Sequence, residues 1–244
     1  MASTENTSAP TGTPAAAPSP AVQSSTGDGT AGTAVAPAAR RRWDATDLAL
    51  VAVFAALVAG SALVAAIPVS GLGVPITLQT LAVILTGLAL GPARAFAAVG
   101  LYLLLGFAGL PIFSGGRAGL GVLAGPSGGY IIGFLFGATA VGALTAVVLR
   151  RTSAVAAAGR RGTLRPVLLF CAAMAASIVF IHGLGILGMM VNAKLSLTAA
   201  FLADLPFYPG DIIKNVLAVI IAVALHRAFP DLLLRRVRRG AARP

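Results

Sequence analysis

Between about residues 47 and 229 the chain is a succession of apolar blocks, most of them about 15 to 25 residues long, separated by short segments of glycine, proline and arginine. An α-helix rises about 1.5 Å per residue, so blocks of this length match the roughly 30 Å of hydrocarbon in a bilayer. With 57% hydrophobic and 10% charged residues, the chain has far too little charge to cover a water-facing surface, for which about 25% is usual. The pattern predicts an all-α integral membrane protein.

The blocks fall at about 47–67, 76–90, 93–110, 128–149, 166–191 and 210–229. Pro68 ends the first, Gly91-Pro92 turns between the second and third, and a glycine-rich loop over about 111–127 precedes the fourth. A loop holding Asn192, Lys194, Asp204 and Pro206 leads into the last. The net charge of +11 would point to nucleic acid in a soluble protein. Here the arginines lie between the blocks, where they act as topology signals, and no nucleic-acid partner is expected. With the N-terminus inside, 15 basic residues fall on the inner side, and three, Arg117, Lys194 and Lys214, fall on the outer. An odd number of spans would spoil this separation, so six transmembrane helices with both termini cytoplasmic are predicted.

Residues 1–42 are rich in Ala, Pro, Ser, Thr and Gly and poor in large apolar side chains, the composition of a disordered cytoplasmic tail. The first apolar block starts too far into the chain for a cleavable signal peptide. The three-part organisation expected is this tail (1–42), a membrane domain (43–230) and a basic C-terminal tail (231–244). Cys171 is the single cysteine, which excludes an intrachain disulfide and a cysteine metal cluster. Its apolar surroundings predict a buried structural thiol.

The remaining polar groups gather toward the outer side. Asp211 and Lys214 open the last span three residues apart, on one helix face, where they can pair with each other or offer an acceptor and a donor to a ligand. Arg117 lies in a loop with Gly115 and Gly116, whose backbone can fold tightly. It is either an exposed cation or a two-pronged partner for a carboxylate. Gln79 at the start of the second block either meets a polar ligand or caps backbone. Tyr130 is an interface anchor or a cavity wall. His182 and His226 lack acidic or cysteine companions in sequence, so helix packing is expected of them rather than metal binding. Small residues four apart (Ala52, Ala56 and Gly60; Ala55 and Ala59; Gly129, Gly133 and Gly137) allow close helix approach. No Walker A loop, H-E-x-x-H or G-x-S-x-G occurs, and no catalytic set emerges.

Seven motifs in order, Val74-Pro-Ile-Thr-Leu-Gln-Thr-Leu81, Gly91-Pro92, Tyr102-Leu-Leu-Leu-Gly106, Gly109-Leu-Pro-Ile-Phe113, Gly115-Gly-Arg117, Gly125-Pro-Ser-Gly-Gly-Tyr130 and Gly210-Asp-Ile-Ile-Lys214, resemble the BioY family. Its members are biotin-specific S components of energy-coupling factor (ECF) vitamin transporters. The resemblance spans about residues 48–229 and leaves out the N-terminal tail. It implies the six-helix S-component fold, a multi-pass protein of the bacterial cell membrane, and biotin as substrate bound near the extracellular side. It implies no cofactor, ATP being used on partner subunits. The implied partners are a transmembrane coupling subunit and two ATPase subunits. The family's ligand positions carry over to Gly115, Arg117, Asp211 and Lys214, and Gln79 and Tyr130 match motif positions. The family docks its coupling subunit on small residues of the first helix, which here are Ala52 and Ala56 or Ala55 and Ala59. An S component for another vitamin, or a solitary biotin transporter, is the alternative.

Overall fold

The computed structural model describes residues 43–64, 67–68, 74–157 and 164–229, without the side chains of 67–68 and 153–157. The two expected tails, and the arginines at 40–42, 160–161 and beyond 229, lie outside these residues. The described residues belong to one compact unit spanning Arg42–Pro244.

Helix α1 is Ala45–Leu63. Asp44 starts it by accepting from the Asp47 amide at 2.8 Å, and the Asp47 carboxylate accepts from the Asp44 amide at 3.3 Å. This reciprocal cap satisfies amide groups that have no partner within the helix. Two-residue strands β1 (Ile67–Pro68) and β2 (Pro75–Ile76) pair antiparallel and close the loop between α1 and α2. Helix α2 is Gln79–Leu90 and α3 is Pro92–Phe107. Gly91, with φ 75°, turns the chain between them, and Pro92 takes the first helical position, where its missing N–H costs nothing.

Helix α4 is Gly128–Ala157, reaching beyond the expected end near 149. The fifth block is one continuous rod of three parts: α5 (Leu164–Ala176), a π-helical turn (Ser177–His182) and α6 (Gly183–Asn192). The connection expected to be a loop before the last helix contains a further helix, α7 (Leu197–Asp204), capped by the Ser196 hydroxyl on the Ala199 amide. Helix α8 is Phe207–Ala228 and starts three residues earlier than the sequence pattern indicated.

The all-helical architecture agrees with expectation; the lengths refine it. Among the described residues four helical rods are long and apolar enough to cross a bilayer, Ala45–Leu63, Gly128–Thr152, Leu164–Asn192 and Phe207–Ala228. Helices α2 and α3, at 12 and 16 residues, are shorter. Burial explains how α2 can be short. Eleven of its 12 residues are buried, packed on α1, α4 and α8, so it is the centre of the bundle rather than part of its lipid-facing wall.

Large apolar side chains such as Val53, Leu57, Phe136, Val179, Ile213 and Ile220 point outward, as lipid-facing positions require. Cys171 is among the exposed residues. The buried thiol expected there is corrected: in a helix apolar on every side, an apolar neighbourhood in sequence does not tell the core face from the lipid face. The glycine ladder of α4 serves internal packing. A methyl group on Gly133 would meet the Phe180 carbonyl oxygen at 2.6 Å, and one on Gly137 would meet Ile181 Cγ1 at 2.9 Å. These glycines let α4 lie directly against the π-helical turn.

Candidate functional site

One end of the bundle encloses a chamber lined by apolar, aromatic and ionisable side chains. Its walls come from β2 (Pro75), the start of α2 (Gln79, Thr80), α3 (Tyr102), the loop before α4 (Phe113, Ser114, Arg117, Ser127), α4 (Tyr130, Ile131, Phe134), the π-helical turn (Ile181, His182) and α8 (Phe207, Asp211, Lys214). Five of the six candidate ligand residues therefore share one chamber: Gln79, Arg117, Tyr130, Asp211 and Lys214.

Gly115 does not line it. It is exposed, and with Gly116 it adopts left-handed backbone, φ 74° and 70°, a conformation that costs glycine nothing. This turn lets the Phe113 amide reach the Arg117 carbonyl at 3.1 Å. Gly115 thus shapes the loop that brings Arg117 back to the wall. Arg117 Nε donates to the Ser114 carbonyl at 3.1 Å and Nη2 to the Ser127 hydroxyl at 3.1 Å. Among the described residues Nη1 takes no partner, which leaves donors for an anionic group.

Gln79 has 4% of its surface exposed. Its amide nitrogen donates to the Tyr102 hydroxyl at 2.8 Å, and its carbonyl oxygen accepts from the Thr77 hydroxyl at 3.2 Å. Tyr102 stands edge-on to Phe113, ring centroids 5.4 Å apart. One wall is thus aromatic with a narrow polar seam.

The opposite character appears where α7 and α8 meet the π-helical turn. Lys214 Nζ donates to Asp211 Oδ1 at 2.7 Å. Asp211 Oδ2 lies 3.1 Å from His182 Nε2. On the far side of the imidazole, Nδ1 lies 2.9 Å from Asp204 Oδ1 and 3.0 Å from Oδ2, and the Tyr130 hydroxyl donates to the same Asp204 Oδ1 at 2.6 Å. Tyr208 stacks on the His182 ring, centroids 4.5 Å apart and planes 16° off parallel. The four ionisable groups Asp204, His182, Asp211 and Lys214 are all buried, from 0% to 7% exposed.

The expectation that His182 merely packs is therefore corrected: it joins two carboxylates and lines the cavity. Sequence spacing hid both of its partners, 22 and 29 residues away. The signal available was an ionisable residue in the middle of an apolar span, where burial is costly without a compensating partner. Tyr130 is 7% exposed and is a cavity wall, not an interface anchor. Among the described residues no group of three His, Cys, Asp or Glu could hold a metal ion.

The first helix resolves which of its small residues are accessible. Ala55 is 4% exposed and belongs to the core, so it is corrected as a docking position. Ala52, Ala56 and Gly60 are exposed on the outer face, and Ala59 is half-buried.

An apolar helical bundle that keeps paired charges in a chamber at one end is a membrane protein arranged to hold a compact solute with polar ends. Comparison with known proteins narrows the class. Residues 36–231 match the model of the BioY family. The biotin transporter BioY of Rhizobium etli is 38% identical over 184 residues, 75% of this chain and 95% of that protein. The biotin transporter BioY of Rhodobacter capsulatus is 39% identical over 199 residues, 78% of this chain and 98% of that protein. Among solved structures, the S-component for biotin from an ECF-type ABC transporter superposes with a TM-score of 0.63 at 27% identity, covering 75% of this chain and 91% of that one. The chain belongs to the BioY family.

Proposed function

We propose that this protein is the biotin-binding membrane subunit of a vitamin uptake transporter. It works as an S component with ECF energising subunits, and it binds biotin from outside the cell and releases it inward. The observation that carries the reading is the single chamber that combines the Asp211–Lys214 pair, the Arg117 guanidinium and apolar walls, in a chain whose relatives are biotin transporters.

Biotin's ureido ring has two N–H donors and one carbonyl acceptor. Asp211 accepts from an N–H and Lys214 donates to the carbonyl. The thioether ring and valeryl chain lie against Tyr102, Phe113, Ile131, Phe134 and Phe207. Arg117 takes the carboxylate through its uncommitted Nη1, charge-assisted hydrogen bonds being the stronger kind. The Asp211–Lys214 pair is formed within the protein itself, which lowers the ordering cost of binding.

The arrangement in the membrane is six spans, α2 and α3 included, with both termini cytoplasmic and the chamber outward, in a bacterial cell membrane. The basic residues support it: Arg94, Arg150, Arg165 and Arg227 all fall on helix ends away from the chamber. The exposed Ala52–Ala56 face of α1 docks a transmembrane coupling subunit that carries two ATPases. The protein itself catalyses no reaction and needs no cofactor. Equilibrium binding of labelled biotin to the purified chain in detergent tests the reading. Saturable binding that other vitamins fail to displace is expected; an absence of saturable binding overturns it.

A further inference from the structure

Asp204 has no surface exposed and does not line the chamber, yet it is tied to it twice, through His182 and through Tyr130. Its position poses a question of charge. A neutral imidazole has one N–H and one lone pair. His182 faces a carboxylate oxygen from each nitrogen, Asp204 from Nδ1 and Asp211 from Nε2. In either neutral tautomer one nitrogen would aim its lone pair at a carboxylate: Asp211 Oδ2 would lose its donor, or Asp204 would keep the Tyr130 hydroxyl while facing the bare Nδ1.

Resting on the biotin-binding reading, we propose that His182 is a doubly protonated bridge between Asp204 and Asp211, and that Asp204 is a positioning residue that fixes the charge and place of the Asp211 carboxylate for the ligand. With His182 as imidazolium, two anions and two cations alternate along Asp204, His182, Asp211 and Lys214, and every contact in the row is attractive. A buried carboxylate needs such a partner, and His182 is the basic side chain in contact with Asp204. The groups facing the imidazole are Tyr130 from α4, Asp204 from α7, and Tyr208 and Asp211 from α8, with Lys214 one step further along.

The bridge also explains how Asp211 can serve a ligand while paired. Lys214 holds Oδ1 and His182 holds Oδ2, so both oxygens are aimed before biotin arrives. Remove the charge on His182 and Oδ2 keeps a neutral N–H in place of a charge-assisted one, or loses it in the Nδ1–H tautomer; the carboxylate is held less firmly, and a ureido N–H meets a displaced acceptor.

The test joins a spectrum with a titration. The full chain in detergent, labelled with ¹⁵N-histidine and assigned with the help of a His226→Gln variant, is expected to show both His182 nitrogens protonated at neutral pH. Asp204→Asn is expected to return His182 to a neutral tautomer and to weaken biotin binding on the order of tenfold or more. A neutral His182 in the unaltered chain, or Asp204→Asn protein with undiminished affinity, overturns the proposal. Should Asp204→Asn fail to fold, the spectrum of the unaltered chain decides alone. A folded chain that shows the imidazolium but binds no biotin would sink the functional reading and leave the bridge standing.

Discussion

Asp211 is gripped from two sides, by Lys214 at 2.7 Å from the next turn of its own helix and by His182 at 3.1 Å from the π-helical turn. Exchange of the carboxylate for an amide keeps the shape and removes the charge. Asp211→Asn then leaves Lys214 without its anion in a buried site and leaves the imidazole with Asp204 alone. The expected loss in biotin affinity is about 2–5 kcal/mol, the range for one partner of a buried charge pair, read as a rightward shift of the binding isotherm. The Lys214→Gln variant is expected to cost a similar amount. The double variant should cost clearly less than the two added together, because the partners share one interaction. Strict additivity of the two losses would show that Asp211 and Lys214 act independently.

Arg117 is assigned the carboxylate of the ligand, and this can be separated from the ureido contacts by changing the ligand rather than the protein. Arg117→Ala is expected to weaken binding of biotin by about 1.5–3 kcal/mol, the usual worth of a hydrogen bond to a charged group. Binding of biotin amide, which carries no negative charge, should change by well under half that. The comparison is made by competition titration in detergent. If Arg117→Ala weakened both ligands equally, while Lys214→Gln discriminated between them, the two cations would have to exchange roles.

The parts of this fold that the sequence made legible are those with a strong one-dimensional signal. Apolar block length marked the helices, Gly91-Pro92 marked the turn, and the spacing of Asp211 and Lys214 put them on one face. What stayed hidden depended on phase and on long-range pairing. In a helix apolar on every side, periodicity cannot tell the lipid face from the core face, so Ala52 and Ala55 looked equivalent and Cys171 looked buried. Helix α7 was hidden because eight residues between polar neighbours resemble a loop. His182 and Asp204 meet through tertiary packing, and their 22-residue separation carries no pattern. Gly115 was expected as a ligand position from the family resemblance; in the structure it lies outside the chamber lining and forms the backbone turn that leads to Arg117.

Gly185 of α6 lies under the ring of Tyr130, so closely that a methyl group there would collide with ring carbons Cε1 and Cζ. Gly185→Ala must push the ring aside, and with it the hydroxyl that donates to Asp204. Overpacking of this kind costs about 1–3 kcal/mol. A lowered Tm in detergent is expected, together with weakened biotin binding, because the displaced ring forms part of the chamber wall. Gly121 provides the control, since a methyl group there meets nothing within 4 Å, and Gly121→Ala should leave both readouts near their original values. Equal behaviour of the two variants would mean that the contact between Gly185 and Tyr130 does not shape the site.

The outer face of α1 offers a prediction that separates docking from binding. Ala52 and Ala56 are exposed one turn apart, whereas Ala55, between them in sequence, is 4% exposed in the core. Small residues let a second helix approach its neighbour's backbone closely, and larger side chains at the same positions hold it away. The double variant Ala52→Leu, Ala56→Leu places bulk on the outer face without touching the chamber. It is expected to bind biotin as the unaltered chain does and to lose co-purification with the coupling subunit and its ATPases. Ala55→Leu should behave in the opposite way, because its added volume enters the core: a lowered Tm is expected whether or not a partner is present. Retention of the partners by the double variant would remove this face of α1 as the docking surface.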